Sequence, residues 1–295
     1  MLRLDWTGLV LAAGRRLTRT EAGQLDALVR RRLAREPLQH LLGEVEWGGL
    51  SLLVSPAALI PRPETETLLL LSLANLEGLH TPQVLDVGTG GGALALGIRA
   101  ARPDAAVTAS DLSDEALTLA RRNAVQTGLK VRFVYSDLLH NVAGRFHLIV
   151  SNPPYLPEAD RQEAQPEVKR DPDLALYSGP DGLDLARRLV AQVPPHLEAG
   201  GTLLLELDPR NVRVLAAEMT AAGWTVQVHP DLSGRERFLW ARREHGPQLC
   251  SPLPWWERGV RENRTPPDSA AGVSAGAVVP GGDTVEHDHH RTPLP

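Results

Sequence analysis

The chain has 295 residues, 42% hydrophobic and 23% charged, which is ordinary for a soluble globular protein and long enough for one large domain with a small companion. Its formal net charge of −5 argues against an affinity built on gripping many phosphates, which needs a dense basic surface. No apolar run reaches the roughly 18 residues of a membrane span, Met1 to Asp5 does not open a secretory signal, and the lone Cys250 excludes an internal disulfide, so a cytoplasmic address is expected.

Charge is unevenly spread. Residues 1–43 carry eight arginines against four acids, a local excess of +4, which reads either as a solvated helix face or as a contact surface for RNA or an acidic partner. Within that stretch Thr20-Glu21 opens a helix in which Leu25, Leu28, Val29 and Leu33 recur at helical spacing, with Pro37 beyond its end. Val45, Trp47, Leu50, Leu52 and Val54 then alternate around Gly48-Gly49, the pattern of a β-hairpin. A proline-punctuated stretch from Ser55 to Pro63 leads into a Leu-rich helix from about Glu64.

From Thr81 onward strands and helices alternate as in a parallel sheet covered on both faces. The spacing predicts strands at Gln83–Val87, Ala106–Ser110, Val131–Tyr135, Phe146–Val150, Thr202–Leu207, Thr225–His229 and Glu236–Arg242, and helices near 92–102, 113–127, 182–198 and 211–222. Pro230 to Arg235 is too short for a crossover helix, so the last two strands should pair antiparallel at one edge. After Glu244 the texture changes to eight prolines in 51 residues without sustained periodicity, which reads as a disordered tail. His287, His289 and His290 are weak metal-ligand candidates there, and no metal is expected; paired Trp255-Trp256 has no evident role.

The first predicted strand runs into Asp86-Val87-Gly88-Thr89-Gly90-Gly91-Gly92 and then a helix. Glycines let the backbone turn sharply and approach a ligand, and a helix N-terminus favours an anionic group. Alone this signal is weak, since dinucleotide sites and tight turns also produce it. Asp111 at the end of the second strand can accept hydrogen bonds from two ribose hydroxyls. Asp137 after the third can accept from an adenine amino group. The candidate cofactor residues are therefore Asp86, Gly88, Thr89, Gly90, Gly92, Asp111 and Asp137, together with Asn152.

The fourth strand ends in Asn152-Pro153-Pro154-Tyr155. The Asn152 side-chain oxygen and the Pro153 carbonyl can each accept one N–H of an NH₂ group and so fix its plane. The two prolines stiffen the backbone, and the Tyr155 ring can stack on a flat acceptor. A proline-rich turn with a surface tyrosine is the bland alternative.

Asn-Pro-Pro-Tyr downstream of Asp-Val-Gly-Thr-Gly-Gly-Gly resembles the class I S-adenosylmethionine-dependent methyltransferases that act on exocyclic amino or amide nitrogens. Within them, Leu59-Ile60-Pro61-Arg62-Pro63-Glu64-Thr65-Glu66 is similar to the segment that marks the PrmC/HemK family, the glutamine methyltransferases of peptide chain release factors. Arg35-Glu36-Pro37-Leu38-Gln39-His40, the hairpin at 44–54 and Asp231-Leu232-Ser233-Gly234-Arg235 also fit, over about residues 8–243. The resemblance implies an α/β class I methyltransferase fold: a seven-stranded, mostly parallel sheet with an antiparallel edge hairpin, preceded by a small helical domain and a β-hairpin linker. It divides the chain into a truncated helical recognition domain at 1–43, a linker at 44–64, a cofactor-binding catalytic domain at 65–244 and the tail at 245–295. It implies S-adenosyl-L-methionine as cofactor, the Gly-Gly-Gln glutamine of class I release factors as acceptor, Asn152, Pro153, Pro154 and Tyr155 as catalytic residues, and Arg62 and Glu66 as further substrate contacts. Trp47 stands where phenylalanine is usual, and Glu206-Leu207-Asp208 replaces a Glu-hydrophobic-Gly turn. Competing readings are an adenine-N6 nucleic-acid methyltransferase, disfavoured by net acidity and the Arg62–Glu66 segment; a ribosomal-protein glutamine methyltransferase, whose counterpart lacks that segment; and a non-catalytic scaffold, disfavoured by intact Gly88, Gly90, Asp111 and Asn152.

Overall fold

The structure, a computed structural model, describes residues 6–243. The expectations for the tail, for Trp255-Trp256 and for the three terminal histidines lie outside the described residues.

Three helices come first: α1 (Trp6–Leu11), α2 (Arg19–Leu33) and α3 (Leu38–Leu42). Thr18 caps α2 through a reciprocal box, its hydroxyl accepting the Glu21 N–H while the Glu21 carboxylate accepts the Thr18 N–H. The expected hairpin forms from β1 (Glu44–Trp47) and β2 (Leu50–Leu53), antiparallel, with Trp47 opposite Leu50. Its two-residue turn needs φ > 0 at both centres, and Gly48 and Gly49 supply +55° and +77°. Pro63 starts α4 (Pro63–Asn75), a position where its missing N–H costs nothing.

The remaining strands, β3 (Gln83–Val87), β4 (Ala106–Asp111), β5 (Arg132–Tyr135), β6 (Phe146–Ser151), β7 (Leu197–Glu206), β8 (Trp224–Pro230) and β9 (Glu236–Arg243), make one sheet in the order β5-β4-β3-β6-β7-β9-β8. The first five pair in parallel, and β9 inserts antiparallel between β7 and β8, so the edge hairpin is present. Helices α5 (Ala93–Ala101), α6 (Asp114–Thr127), α7 (Asp184–Gln192) and α8 (Val212–Ala221) connect the strands. Leu85, Val87, Ile149, Leu203, Leu205 and Leu239 pack one face of the sheet against α7 and α8. Across the sheet, the Trp240 indole N–H donates to Asn75 of α4. The central strands are buried almost throughout, as expected of strands covered on both faces.

Two boundaries differ from the spacing. Helix α7 stops at Gln192 because Pro194 and Pro195 cannot continue it, and a short 3₁₀ turn, Pro194–His196, follows. Strand β7 begins at Leu197, paired with Phe146, and runs through Gly200-Gly201, with an irregular register that accommodates the glycines. The chain order reverses between β3 and β6, which lie side by side while their successors run to opposite edges. In open α/β sheets that reversal opens a crevice beyond the strands' carboxyl ends.

Candidate active site

The crevice holds a cavity of about 280 Å³. Its floor is the turn after β3, where Gly88 and Gly90 adopt φ of +69° and +56°, with Gly92 behind them at +85°, values that a side chain would strain. Asp86 is buried beneath this turn and accepts the Thr89 hydroxyl at 2.6 Å and the Ala95 N–H at 3.1 Å. It thereby ties strand, turn and α5 together. Burial pushes its carboxyl up to about 7, against the pull of those two hydrogen bonds.

Asp111, at the end of β4, accepts the Gly90 N–H at 2.8 Å through Oδ2 and the Ser113 N–H at 2.9 Å through Oδ1. Each carboxylate oxygen keeps a second lone-pair direction, so two acceptor positions remain for a ligand. Burial raises the Asp111 carboxyl, and the N–H bonds from Ser113 and Gly90 hold it back. Beyond β5, Asp137 is half-exposed and pairs with Arg188 of α7 at 2.7 Å. Its neighbour Leu138 sits at φ +52°, an unusual backbone for a branched side chain and one that tends to mark ligand walls. Leu112 and Leu138 give this end of the cavity an apolar lining.

Beyond β6 comes the tetrapeptide. The Ser151 hydroxyl donates to the Val87 carbonyl at 2.6 Å, locking the two strand ends together. The Asn152 amide Nδ2 donates to the Thr65 hydroxyl at 3.1 Å, while its Oδ1 is buried and has no hydrogen-bond partner among the described residues. A buried, unsatisfied carbonyl oxygen costs roughly 1–3 kcal/mol, and a substrate N–H would recover it. Tyr155 packs against the core, and burial raises its phenol, with nearby Glu206 adding to the shift.

Asp86, Gly88, Thr89, Gly90, Asp111, Asp137, Asn152, Pro154 and Arg62 all line the one cavity; Gly92, Pro153, Tyr155 and Glu66 do not. Arg62 is held by the buried Asp171 at 2.7 Å, and Glu66 accepts the Gly48 N–H at 3.2 Å, steadying the hairpin turn. In the sequence Thr65 and Glu206 stand out only as parts of longer segments, and Asp171, Arg188, Leu112 and Leu138 do not stand out at all. Leu112 and Leu138 each follow a singled-out aspartate, which was the available signal. Five of the N-terminal arginines are engaged: Arg15, Arg30 and Arg31 pair with Glu21, Asp26 and Glu36, acids already counted in the local +4, and Arg32 and Arg35 share Glu167, which offsets one charge of that excess. No group of side chains suited to a metal ion occurs among the described residues, and no described helix is long and apolar enough to cross a membrane.

Two carboxyls carry a pH signature. Glu206 is also raised to about 7, by burial first, with Thr65 and Arg237 opposing. For Asp86 and Glu206 alike, the unfolded chain releases its proton in the ordinary carboxylate range while the folded chain holds it to about 7. Their contribution to stability is therefore full at the acid end and is lost as pH rises through that window, with a slope of up to about 1.4 kcal/mol per pH unit for each group. Asp86→Asn and Glu206→Gln should each flatten the fall of Tm between about pH 4 and 7; an unchanged slope in either variant would mean that carboxyl is already ionised in the folded state.

Residues 64–168 match the Methyltransferase small domain family and residues 1–43 the PrmC N-terminal domain family. The chain is 58% identical over 246 residues to the release factor glutamine methyltransferase of Deinococcus radiodurans, covering 83% of this chain and 88% of that protein. It is 42% identical over 258 residues to the release factor glutamine methyltransferase of Rhodospirillum rubrum, covering 86% and 78%. A methyltransferase from Pyrococcus furiosus superposes with a TM-score of 0.50 at 22% identity, over 65% of this chain and 88% of that one, which shows a shared fold.

Proposed function

The chain belongs to the release factor glutamine methyltransferase family, and we propose that it methylates the side-chain amide nitrogen of the Gly-Gly-Gln glutamine in class I peptide chain release factors, with S-adenosylmethionine as methyl donor. The observation that carries this reading is the unpartnered Asn152 Oδ1, a buried acceptor at the cavity wall beside the glycine turn.

The residues present suit that donor. The open turn at Gly88 and Gly90 leaves room for its amino-acid end, the two free acceptor positions of Asp111 match its ribose hydroxyls, and Asp137 with Leu112 and Leu138 suits an adenine. Bound there, S-adenosylmethionine supplies a methyl group on a positively charged sulfur. An amide nitrogen is a weak nucleophile because its lone pair is delocalised, so orientation is the main contribution open to the protein. Asn152 Oδ1 and the Pro153 carbonyl accept the two N–H groups of the glutamine, and the rigid Pro153-Pro154 backbone fixes the distance between them. Held in this way, the nitrogen would be aimed at the methyl group that the bound donor would supply, the carbon–sulfur electron pair staying with sulfur, and the proton of the methylated nitrogen would pass to water. In this reading residues 1–43 recognise the release factor, 44–64 link, 65–244 carry catalysis, and the enzyme works in the cytoplasm on a translation factor.

The net charge of −5, with five of the N-terminal arginines already held by carboxylates, argues against a nucleic-acid acceptor. The test is incubation with methyl-labelled S-adenosylmethionine and either intact class I release factor, the same factor with the Gly-Gly-Gln glutamine replaced, the isolated peptide, or double-stranded DNA. Label is expected in the intact factor, far less in the peptide, and none in the other two. Label that persists without the glutamine, or that enters DNA, would overturn the acceptor assignment.

A further inference from the structure

Strand β7 lies beside β6 with Leu205 opposite Ser151, so the turn that leaves β7 stands next to the tetrapeptide that leaves β6. Asn211 ends that turn, directly before α8, and is buried. An asparagine at a helix N-cap ordinarily lends its side-chain oxygen to the first free N–H groups of the helix. Asn211 makes no such bond. Its Nδ2 donates instead to two carbonyls, that of Tyr155 at 3.0 Å and that of Asp181 at 3.1 Å, while Oδ1 is buried with no hydrogen-bond partner among the described residues. Helix capping and a satisfied oxygen are both given up for this bridge, and departures from local rules of that kind are expected where a residue serves function more than stability. Gly182 closes on the same carbonyl from another side: at φ +79° it packs so near that a Cβ there would collide with the Tyr155 oxygen.

The tetrapeptide reaches the cavity through Asn152 and Pro154. At its near end the Asn152 amide is held on Thr65 at 3.1 Å. Pro153 and Pro154 have fixed φ, and Asn152 and Pro153, each preceding a proline, are confined to extended backbone. A stiff segment fixed at one end can still pivot about it. We infer that Asn211 is the positioning residue that pins the far end, at the Tyr155 carbonyl, and so sets where the Pro153 carbonyl points. The inference rests on the reading of Asn152 Oδ1 and the Pro153 carbonyl as the pair that orients the glutamine. Asn211 does not line the cavity and touches no reacting atom in this scheme; it acts through the backbone of the tetrapeptide. The turn that carries it is itself braced, because Asp208 accepts the Arg210 N–H at 2.8 Å through its carboxylate and the N–H groups of Asn211 and Val212 at 3.0 Å through its carbonyl.

The test compares three variants. Asn211→Ala removes both donors. Asn211→Ser, whose single O–H cannot serve two carbonyls, gives up the bridge but supplies a good N-cap for α8. Met219→Ala, at a buried position of the same helix, removes packing and leaves the bridge intact. Both Asn211 variants should lower kcat on intact release factor by roughly 10–100-fold, with the cofactor Kd, measured by calorimetry, at the wild-type value. Asn211→Ser should melt closer to wild type than Asn211→Ala and decides the matter if the alanine variant melts early. Met219→Ala should lower Tm yet keep the wild-type kcat below its melting range. A wild-type kcat in Asn211→Ser, a loss in Met219→Ala as deep as in the Asn211 variants, or a loss of cofactor affinity matching the loss of kcat would overturn the positioning role, while label in the wild type left the proposed reaction standing. Absence of label with the wild type would instead overturn the reaction, and the inference with it.

Discussion

Replacing Asn152 with alanine is expected to lower methyl transfer to intact release factor by roughly 10²–10³-fold while leaving cofactor affinity near wild type. The side chain offers the cavity an acceptor oxygen that no donor among the described residues satisfies, and its amide end is anchored on Thr65. Removing it leaves the Pro153 carbonyl as the lone acceptor, and a planar NH₂ held at one point can rotate out of line with the departing group. Loss of alignment by about 1 Å is worth on the order of a hundredfold in rate. The glycine turn and Asp111, the proposed donor side, do not hydrogen-bond to Asn152, so binding of the cofactor should survive. The measurement is kcat in single turnover beside a calorimetric Kd. A cofactor Kd that worsens as much as kcat falls would move Asn152 from the acceptor side to the cofactor side.

What could be read in the sequence follows from what is local. The turn after β3, Asp111 and Asn152 each sit at the carboxyl end of a strand whose apolar run marks it, so their order along the chain already places them at one edge of a parallel sheet. Helices α1 and α3, six and five residues long, are too short for periodicity to register. The segment after Tyr155, built from 3₁₀ turns, offered no pattern either, yet Pro172, Leu174 and Ala175 from it line the cavity. Partners separated by long stretches of chain were the other blind spot. Thr65 reaches Asn152 across 87 residues, and Arg35 reaches Glu167 across 132. A count of charges near the N-terminus could not foresee that one acid from far along the chain, Glu167, would hold two of its arginines at once.

The second large effect separates the donor end of the site from the acceptor end. Asp111→Ala should weaken S-adenosylmethionine binding by about 3 kcal/mol, roughly a hundredfold in Kd, because two hydrogen bonds to an ionised acceptor are lost at once. Asp111→Asn should be no milder. Each carboxylate oxygen already accepts a backbone N–H, from Gly90 and from Ser113, so whichever way an amide is turned its NH₂ meets another donor and the turn that carries Gly90 is pushed away. Asp137→Ala should cost much less, since that carboxylate is half-exposed and shares its charge with Arg188, and an exposed carboxylate already paired offers little to lose. At saturating cofactor, the Asp111 variants should recover most of the wild-type kcat, unlike Asn152→Ala. Equal Kd for wild type and Asp111→Ala would show that the ribose is held elsewhere, and the apolar end formed by Leu112 and Leu138 would then have to carry the affinity.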